Sequence, residues 1–165
     1  MNSFNDELKV TSQVDGTSVL IDKRSTRLST LLKNLEEDYQ ENEIQIPNIP
    51  GQYLAYIAEY LNYYNLKDPP KVEKPLKIYN ISLMYGVWED EFISEFCKNK
   101  KELWNLMNHA NFLGCESLLD LACSKIAVYI KDFSHKQTLE YFGIIEDLNE
   151  DEAEKMHKEF ENQLK

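Results

Sequence analysis

The order of apolar and polar positions changes character along this chain: its front part mixes a period of two with helical spacing, and its back part is helical throughout. Leu8 and Val10, followed at longer spacing by Val14, begin an imperfect alternation. Asp15-Gly16 is a two-residue turn signal, and Ser18-Val19-Leu20-Ile21 returns, which predicts a β-hairpin. Gly tolerates the positive φ such a turn needs, and the flanking Val, Leu and Ile suit a half-buried pleated surface. Ser25 stands where it can cap a helix carrying Leu28, Leu31, Leu32 and Leu35 on one face. The run Glu36-Glu37-Asp38 at its end opposes the helix dipole, which predicts fraying and a mobile loop through Tyr39 to Glu43. Ile44 and Ile46 straddle Gln45 in a short strand, and Pro47 and Pro50 bracket a turn. Pro50 suits the first turn of a helix with Leu54, Ile57, Ala58 and Leu61 facing inward. Tyr53, Tyr56, Tyr60, Tyr63 and Tyr64 give that helix a band of rings, read as packing.

Asp68-Pro69-Pro70 and Pro75 then stop regular structure, since each proline lacks an N–H donor and restricts its predecessor. From Leu76 to Glu95 the apolar positions are dense but irregular, predicting short helices joined by turns. The strongest periodicity runs from Glu102 to Ile130. Leu103, Leu106, Met107, Ala110 and Leu113 share one face, while Trp104, Asn108, Asn111 and Phe112 gather on another that holds too much apolar area for a solvated surface. Gly114 suits a helix C-terminus and Ser117 a cap for the next helix. There Leu118, Leu119, Ala122, Cys123, Ile126, Ala127 and Ile130 form one wide stripe, with Leu121, Val128 and Tyr129 outside it. A helix apolar on more than one side is usually sandwiched, so this pair is expected to be the spine of the domain. Ser134 and Gln137 have capping-box spacing, and Asn149 with Glu152 repeats it before a last helix bearing Ala153, Met156, Phe160 and Leu164. The pattern points to an α+β fold with a helical extension.

Composition narrows what such a fold can do. At 165 residues, 42% hydrophobic and 28% charged, the chain has a globular profile with a core of its own. A net charge of -11, with no cationic cluster denser than Lys98, Lys100 and Lys101, argues against nucleic acid and anionic membranes as partners. No apolar run approaches the ~20 residues of a membrane span and Met1 to Glu7 are polar and acidic, so neither anchor nor signal peptide is expected. Cytoplasm and nucleus are the expected setting.

Chemistry is sparse. The chain has no phosphate-cradling Gly-rich loop, GxSxG elbow, HExxH or EF-hand loop. Cys97, Cys115 and Cys123 form no CxxC pair. They read as buried reduced thiols, and a zinc site joining them to His109, His135 or His157 lacks local spacing. Glu150, Asp151, Glu152 and Glu154 have the composition of an acid/base site but sit in a stretch expected to be exposed, where pKa tuning is small. His109 is the best single catalytic candidate, yet no nucleophile stands near it. No cofactor, metal or catalytic residue is expected, and the weak enzymatic alternative is a hydrolase using His109 and Cys115.

Several stretches together carry a resemblance: Ile44-Gln45-Ile46-Pro47-Asn48-Ile49, Asp68-Pro69-Pro70, Lys74-Pro75-Leu76-Lys77, Trp88-Glu89-Asp90-Glu91-Phe92-Ile93, Ala110-Asn111-Phe112-Leu113, Leu118-Leu119-Asp120-Leu121, Tyr141-Phe142-Gly143-Ile144 and Glu159-Phe160-Glu161-Asn162-Gln163. In this order, over nearly the whole chain, they resemble the Skp-type adaptors of SCF (Skp, cullin, F-box) ubiquitin ligases. The resemblance implies a BTB/POZ fold, a small N-terminal sheet flanked by helices, with a two-helix C-terminal extension. It divides the chain into an N-terminal half (1–66), a Pro-containing linker (67–75), a helical half (76–132) and F-box-binding helices (133–165).

The implied function is a non-catalytic adaptor that bridges an F-box substrate receptor to a cullin scaffold. The resemblance puts the cullin on Trp104, Asn108, Asn111 and Phe112, and the F-box on Leu119, Cys123, Leu139, Phe142, Ile144, Phe160 and Leu164. His109 stands where relatives carry an alanine and Phe112 where they carry a tyrosine. These departures support an alternative, a structural subunit that binds F-box proteins in a cullin-independent complex, for example on chromosomes. The surplus apolar face also allows a weak homodimer of the free protein.

Overall fold

Alternation of inward and outward residues sets the sheet. In a computed structural model, which describes residues 6–38, 42–96 and 100–144, strand β1 (Glu7–Ser12) buries Leu8, Val10 and Ser12 and turns Glu7 and Lys9 to solvent. It pairs antiparallel with β2 (Ser18–Asp22), Leu8 opposite Ile21, and parallel with β3 (Glu43–Ile46), Val10 opposite Ile44, giving the order β2-β1-β3. A slip of one residue would turn this apolar set to water, so the register is tightly specified.

The hairpin connection departs from the two-residue reading. It spans residues 13–17, Val14 lies outside the sheet with 56% of its surface exposed, and of the turn pair only Gly16 takes positive φ. The Asp15 carboxylate accepts the N–H groups of Thr17 (3.0 Å) and Gly51 (2.8 Å), which ties the turn to the start of the next long helix and lowers the Asp15 pKa.

Ser25 is not a cap. It lies buried inside a 3-10 helix (Lys23–Leu28), its hydroxyl donating to the Asp22 carbonyl. Asp22 is the cap: its carboxylate accepts the Arg24 N–H at 2.9 Å and the Arg24 guanidinium at 2.5 Å, and is held at about 2 mainly by Arg24. Helix α1 (Thr30–Asp38) then buries Leu32 and remains helical through the acidic run. Of the predicted mobile loop, residues 39–41 lie outside the described residues and Glu43 belongs to β3.

The middle of the fold is helix α2 (Gly51–Tyr63), entered from Pro50 at the cap position rather than inside the first turn. Tyr53, Leu54, Ile57, Ala58, Tyr60 and Leu61 are all buried, and the helix packs on β1, β2, the 3-10 helix and a later helix, α5. This helix, not the 102–130 pair, holds the central position. After irregular chain from Tyr64 to Asn80 come α3 (Ile81–Met84), capped by Asn80, and α4 (Val87–Phe96). Then follow α5 (Lys100–Phe112), α6 (Glu116–Ile130) and α7 (His135–Phe142). The predicted helix beginning near Asn149 lies outside the described residues. Among the described residues the architecture is α+β, with one three-stranded sheet and otherwise helices, and the chain divides into compact units Met1–Tyr129 and Ile130–Lys165.

Candidate functional site

Helix α5 has two faces of opposite fate. Leu106, Ala110 and the following Leu113 are wholly buried and Leu103 nearly so, which fixes the helix against the unit. The side opposite carries the predicted set at spacings of four, three and one: Trp104 half-buried, Asn108 and Asn111 exposed, Phe112 with 44% of its surface in solvent. These four residues therefore share one face, as their spacing requires.

Residues outside the predicted set of four aim that face. The Asn105 amide donates to the Tyr53 hydroxyl at 2.7 Å, and that hydroxyl donates to Glu102 at 3.0 Å, joining α5 to α2. His109 lies with its ring 4.7 Å from that of Tyr53, and burial lowers its pKa, so it is neutral at pH 7. It is a packing residue between two helices rather than a free base. At the C-terminus of α5 the Leu113 carbonyl accepts the Ser29 hydroxyl (2.6 Å) and the Leu31 N–H (3.2 Å), and the Gly114 carbonyl accepts the Thr30 N–H (3.3 Å). Gly114 makes this possible: its φ is +66°, and a Cβ there would come within 2.9 Å of the Thr30 side chain.

In α6 the wide apolar stripe splits. Leu118, Leu121 and Ala122 are completely buried and Ile126 nearly so, which brings in Leu121 from outside the predicted stripe. Leu119 and Ala127 remain half-buried and Cys123 is exposed, so one side of this helix is apolar and open. Ser117 sits within the first turn and is not the cap. In the second unit, α7 begins with the predicted capping box, Ser134 and Gln137 bonding each other's backbone, and ends at Gly143 in the left-handed conformation. None of its residues is buried. Leu139 and Phe142 are half-buried, and Ile144 is 55% exposed. Phe160 and Leu164 lie outside the described residues.

The thiols do not behave alike. Cys115 is fully buried, its thiol pushed up to about 12 by burial. That removes the accessible nucleophile on which the His109–Cys115 hydrolase reading depended. Exposed Cys123 corrects the expectation of a buried thiol, and Cys97 is outside the described residues. Among the described residues no group of three or more His, Cys, Asp or Glu side chains could hold a metal ion, and no helix is long and apolar enough to cross a membrane. What the geometry offers is apolar and aromatic helix faces: the class is a protein-interaction module.

Comparison with known proteins narrows the class. The family description "Skp1 family, dimerisation domain" matches residues 116–163. The chain is 34% identical over 140 residues to "S-phase kinase-associated protein 1 homolog" of Tetrahymena thermophila, covering 84% of this chain and 83% of that protein. It is 29% identical over 147 residues to "SKP1-like protein 10" of Arabidopsis thaliana, covering 88% and 89%. With "E3 ubiquitin ligase complex SCF subunit sconC" of Arthroderma benhamiae the identity is 27% over 149 residues, covering 89% of each. The chain belongs to the Skp1 family. It has that family's BTB/POZ fold and is an adaptor subunit, not an enzyme.

Proposed function

We propose that this protein is the adaptor of an SCF-type ubiquitin ligase, bridging an F-box substrate receptor to a cullin without catalytic groups of its own. Membership of the family supports the role. The observation that carries the site assignment is the outward face of α5, where Trp104, Asn108, Asn111 and Phe112 stand together on a helix whose other side is buried. That face is assigned to the cullin. The open side of α6, with Leu119 and Cys123, and the apolar residues Leu139, Phe142 and Ile144 are assigned to the F-box, together with Phe160 and Leu164. In this reading residues 1–66 and 76–132, on either side of the 67–75 linker, are the two halves of the BTB/POZ part, and 133–165 are the F-box-binding helices. Aromatic and aliphatic anchors that lose water on binding dominate such interfaces.

Size-exclusion chromatography with light scattering, on the chain mixed in turn with an F-box segment and a cullin N-terminal domain, tests the role. Two stable complexes are expected. Phe112→Asp puts a charge at an exposed position, so the fold should survive while the cullin complex is lost and the F-box complex stays. Cullin binding by that variant would overturn the assignment of the α5 face. An F-box complex without cullin binding by the wild type would favour the cullin-independent subunit, which the substitutions at His109 and Phe112 support. The same traces read the weak self-association we infer for the free chain. Tagged protein in intact cells tests the inferred residence in cytoplasm and nucleus.

A further inference from the structure

The Pro-containing stretch 67–75 is a wall rather than a loose tether. Residues 68–73 have no regular structure, yet both ends of the stretch are tied down. The Arg27 guanidinium pairs with Asp68 at 3.2 Å while donating to the Tyr64 and Lys67 carbonyls at 2.9 and 2.8 Å, and the Lys74 ammonium reaches Asp120 on α6 at 2.6 Å. Pro69 and Pro70 stiffen the span between these braces. Between the wall and the first turns of α6 runs a groove of about 690 Å³, room for a short stretch of polypeptide. The braces are already paired. Lys71 on the linker wall and Glu116 on the α6 wall also line the groove, but both are exposed and neither has an ion-pair or hydrogen-bond partner among the described residues.

The groove continues a surface already assigned. Glu116 and Asp120 stand three residues before Leu119 and Cys123, so the α6 wall and the open apolar side of that helix form one strip. Burial raises the Cys123 pKa, and the charges of Asp120 and Lys74 act on the same thiol, which sets the end of the groove beside it. A chain seated on Leu119 and Cys123 thus meets the groove at its edge. In an extended segment successive side chains point to opposite sides, so two neighbouring residues of opposite charge reach Lys71 on one wall and Glu116 on the other. We propose, on the reading that α6 meets the F-box, that the groove takes the segment adjoining the partner's F-box, held extended, with an acidic side chain toward Lys71 and a basic one toward Glu116. A wall braced at both ends is preorganised, which keeps the ordering cost on this chain small.

Calorimetry on the full chain tests this with two probes from one receptor whose F-box is flanked by neighbouring acidic and basic residues: the F-box alone, and the F-box with those flanks. The longer probe should bind about fivefold more tightly, the effect of two ion pairs at a partly open surface. The double variant Lys71→Glu, Glu116→Lys should abolish that gain and leave the affinity for the shorter probe unchanged, and exchanging the acidic and basic residues of the flank should restore it. Both side chains are exposed and unpartnered, so the fold should survive, which circular dichroism checks; Lys71→Glu alone, in a stretch without regular structure, should remove part of the gain. Equal affinity for the two probes, a gain that survives the double variant, equal weakening of both probes, or loss of cullin binding by the variant would overturn the proposal. Failure of the wild type to bind even the shorter probe would overturn the reading of α6 as well.

Discussion

The outward face of α5 and the apolar residues of α7 are both assigned to partners, yet they rest on different foundations. Behind Phe112 and Asn111 stand Leu106, Ala110 and Leu113 with no exposed surface, and hydrogen bonds from Ser29, Thr30 and Leu31 close the end of the helix. Helix α7 has a capped start and a left-handed glycine at its end, but no buried residue. Local sequence therefore defines where α7 begins and stops, whereas tertiary packing defines which way α5 looks. The lesson is that apolar residues on the two helices differ in burial: on α5 Leu103, Leu106 and Ala110 are buried in the core, whereas on α7 no residue is buried.

The sharpest way to break this contrast is a matched pair of truncations. Leu106→Ala should cost about 2–5 kcal/mol of stability, because the side chain is wholly buried and leaves a cavity. Leu139→Ala should cost under about 1 kcal/mol, in keeping with a site far from full burial, while weakening F-box binding. Denaturant unfolding of both variants, with an F-box pull-down, measures the difference; equal stability losses would erase it. Next in size, Gly114→Ala should lose about 1–3 kcal/mol, since the left-handed backbone and the nearby Thr30 both oppose a Cβ. Its melting temperature should fall, and the cullin complex should weaken more than the F-box complex, because the substitution disturbs the end of α5.

A smaller effect is expected at the cap of α7. Ser134→Ala removes a capping box and should cost about 1 kcal/mol of helix stability, visible as faster amide exchange confined to the first turn. Exchange that spreads into α5 would contradict the local character of α7. The thiols give a change in rate alone. Burial raises the pKa of both described cysteines, Cys115 to about 12, so at pH 8 each is chiefly protonated. Exposed Cys123 should nonetheless be alkylated by iodoacetamide and speed up as pH rises, while Cys115 reacts only after unfolding. An added F-box partner should protect Cys123, and peptide mapping by mass spectrometry reads both outcomes.

Much of this was legible in the amino-acid order, because it depends on residues close together in the chain. The 2.0 period of β1, the inward row Leu54, Ile57, Ala58 and Leu61, the two faces of α5, the Gly114 stop and the Ser134–Gln137 box are all local. Family resemblance also lives at this level, in short stretches that are weak one by one and specific only in their shared order along the chain. Tertiary structure decided the rest. Periodicity shows how wide an apolar stripe is but not from which side a neighbour approaches, so only the packed structure could bury Leu121, leave Cys123 open and put α2 at the centre. Capping by Asp22 in place of Ser25 followed from backbone angles that Arg24 and Asn65 stabilise through its carboxylate. The stacking of Trp88 on Tyr63, the Tyr53–Asn105–Glu102 chain and the clamp on Leu113 join residues far apart in sequence, and the folded chain alone brings them within bonding distance.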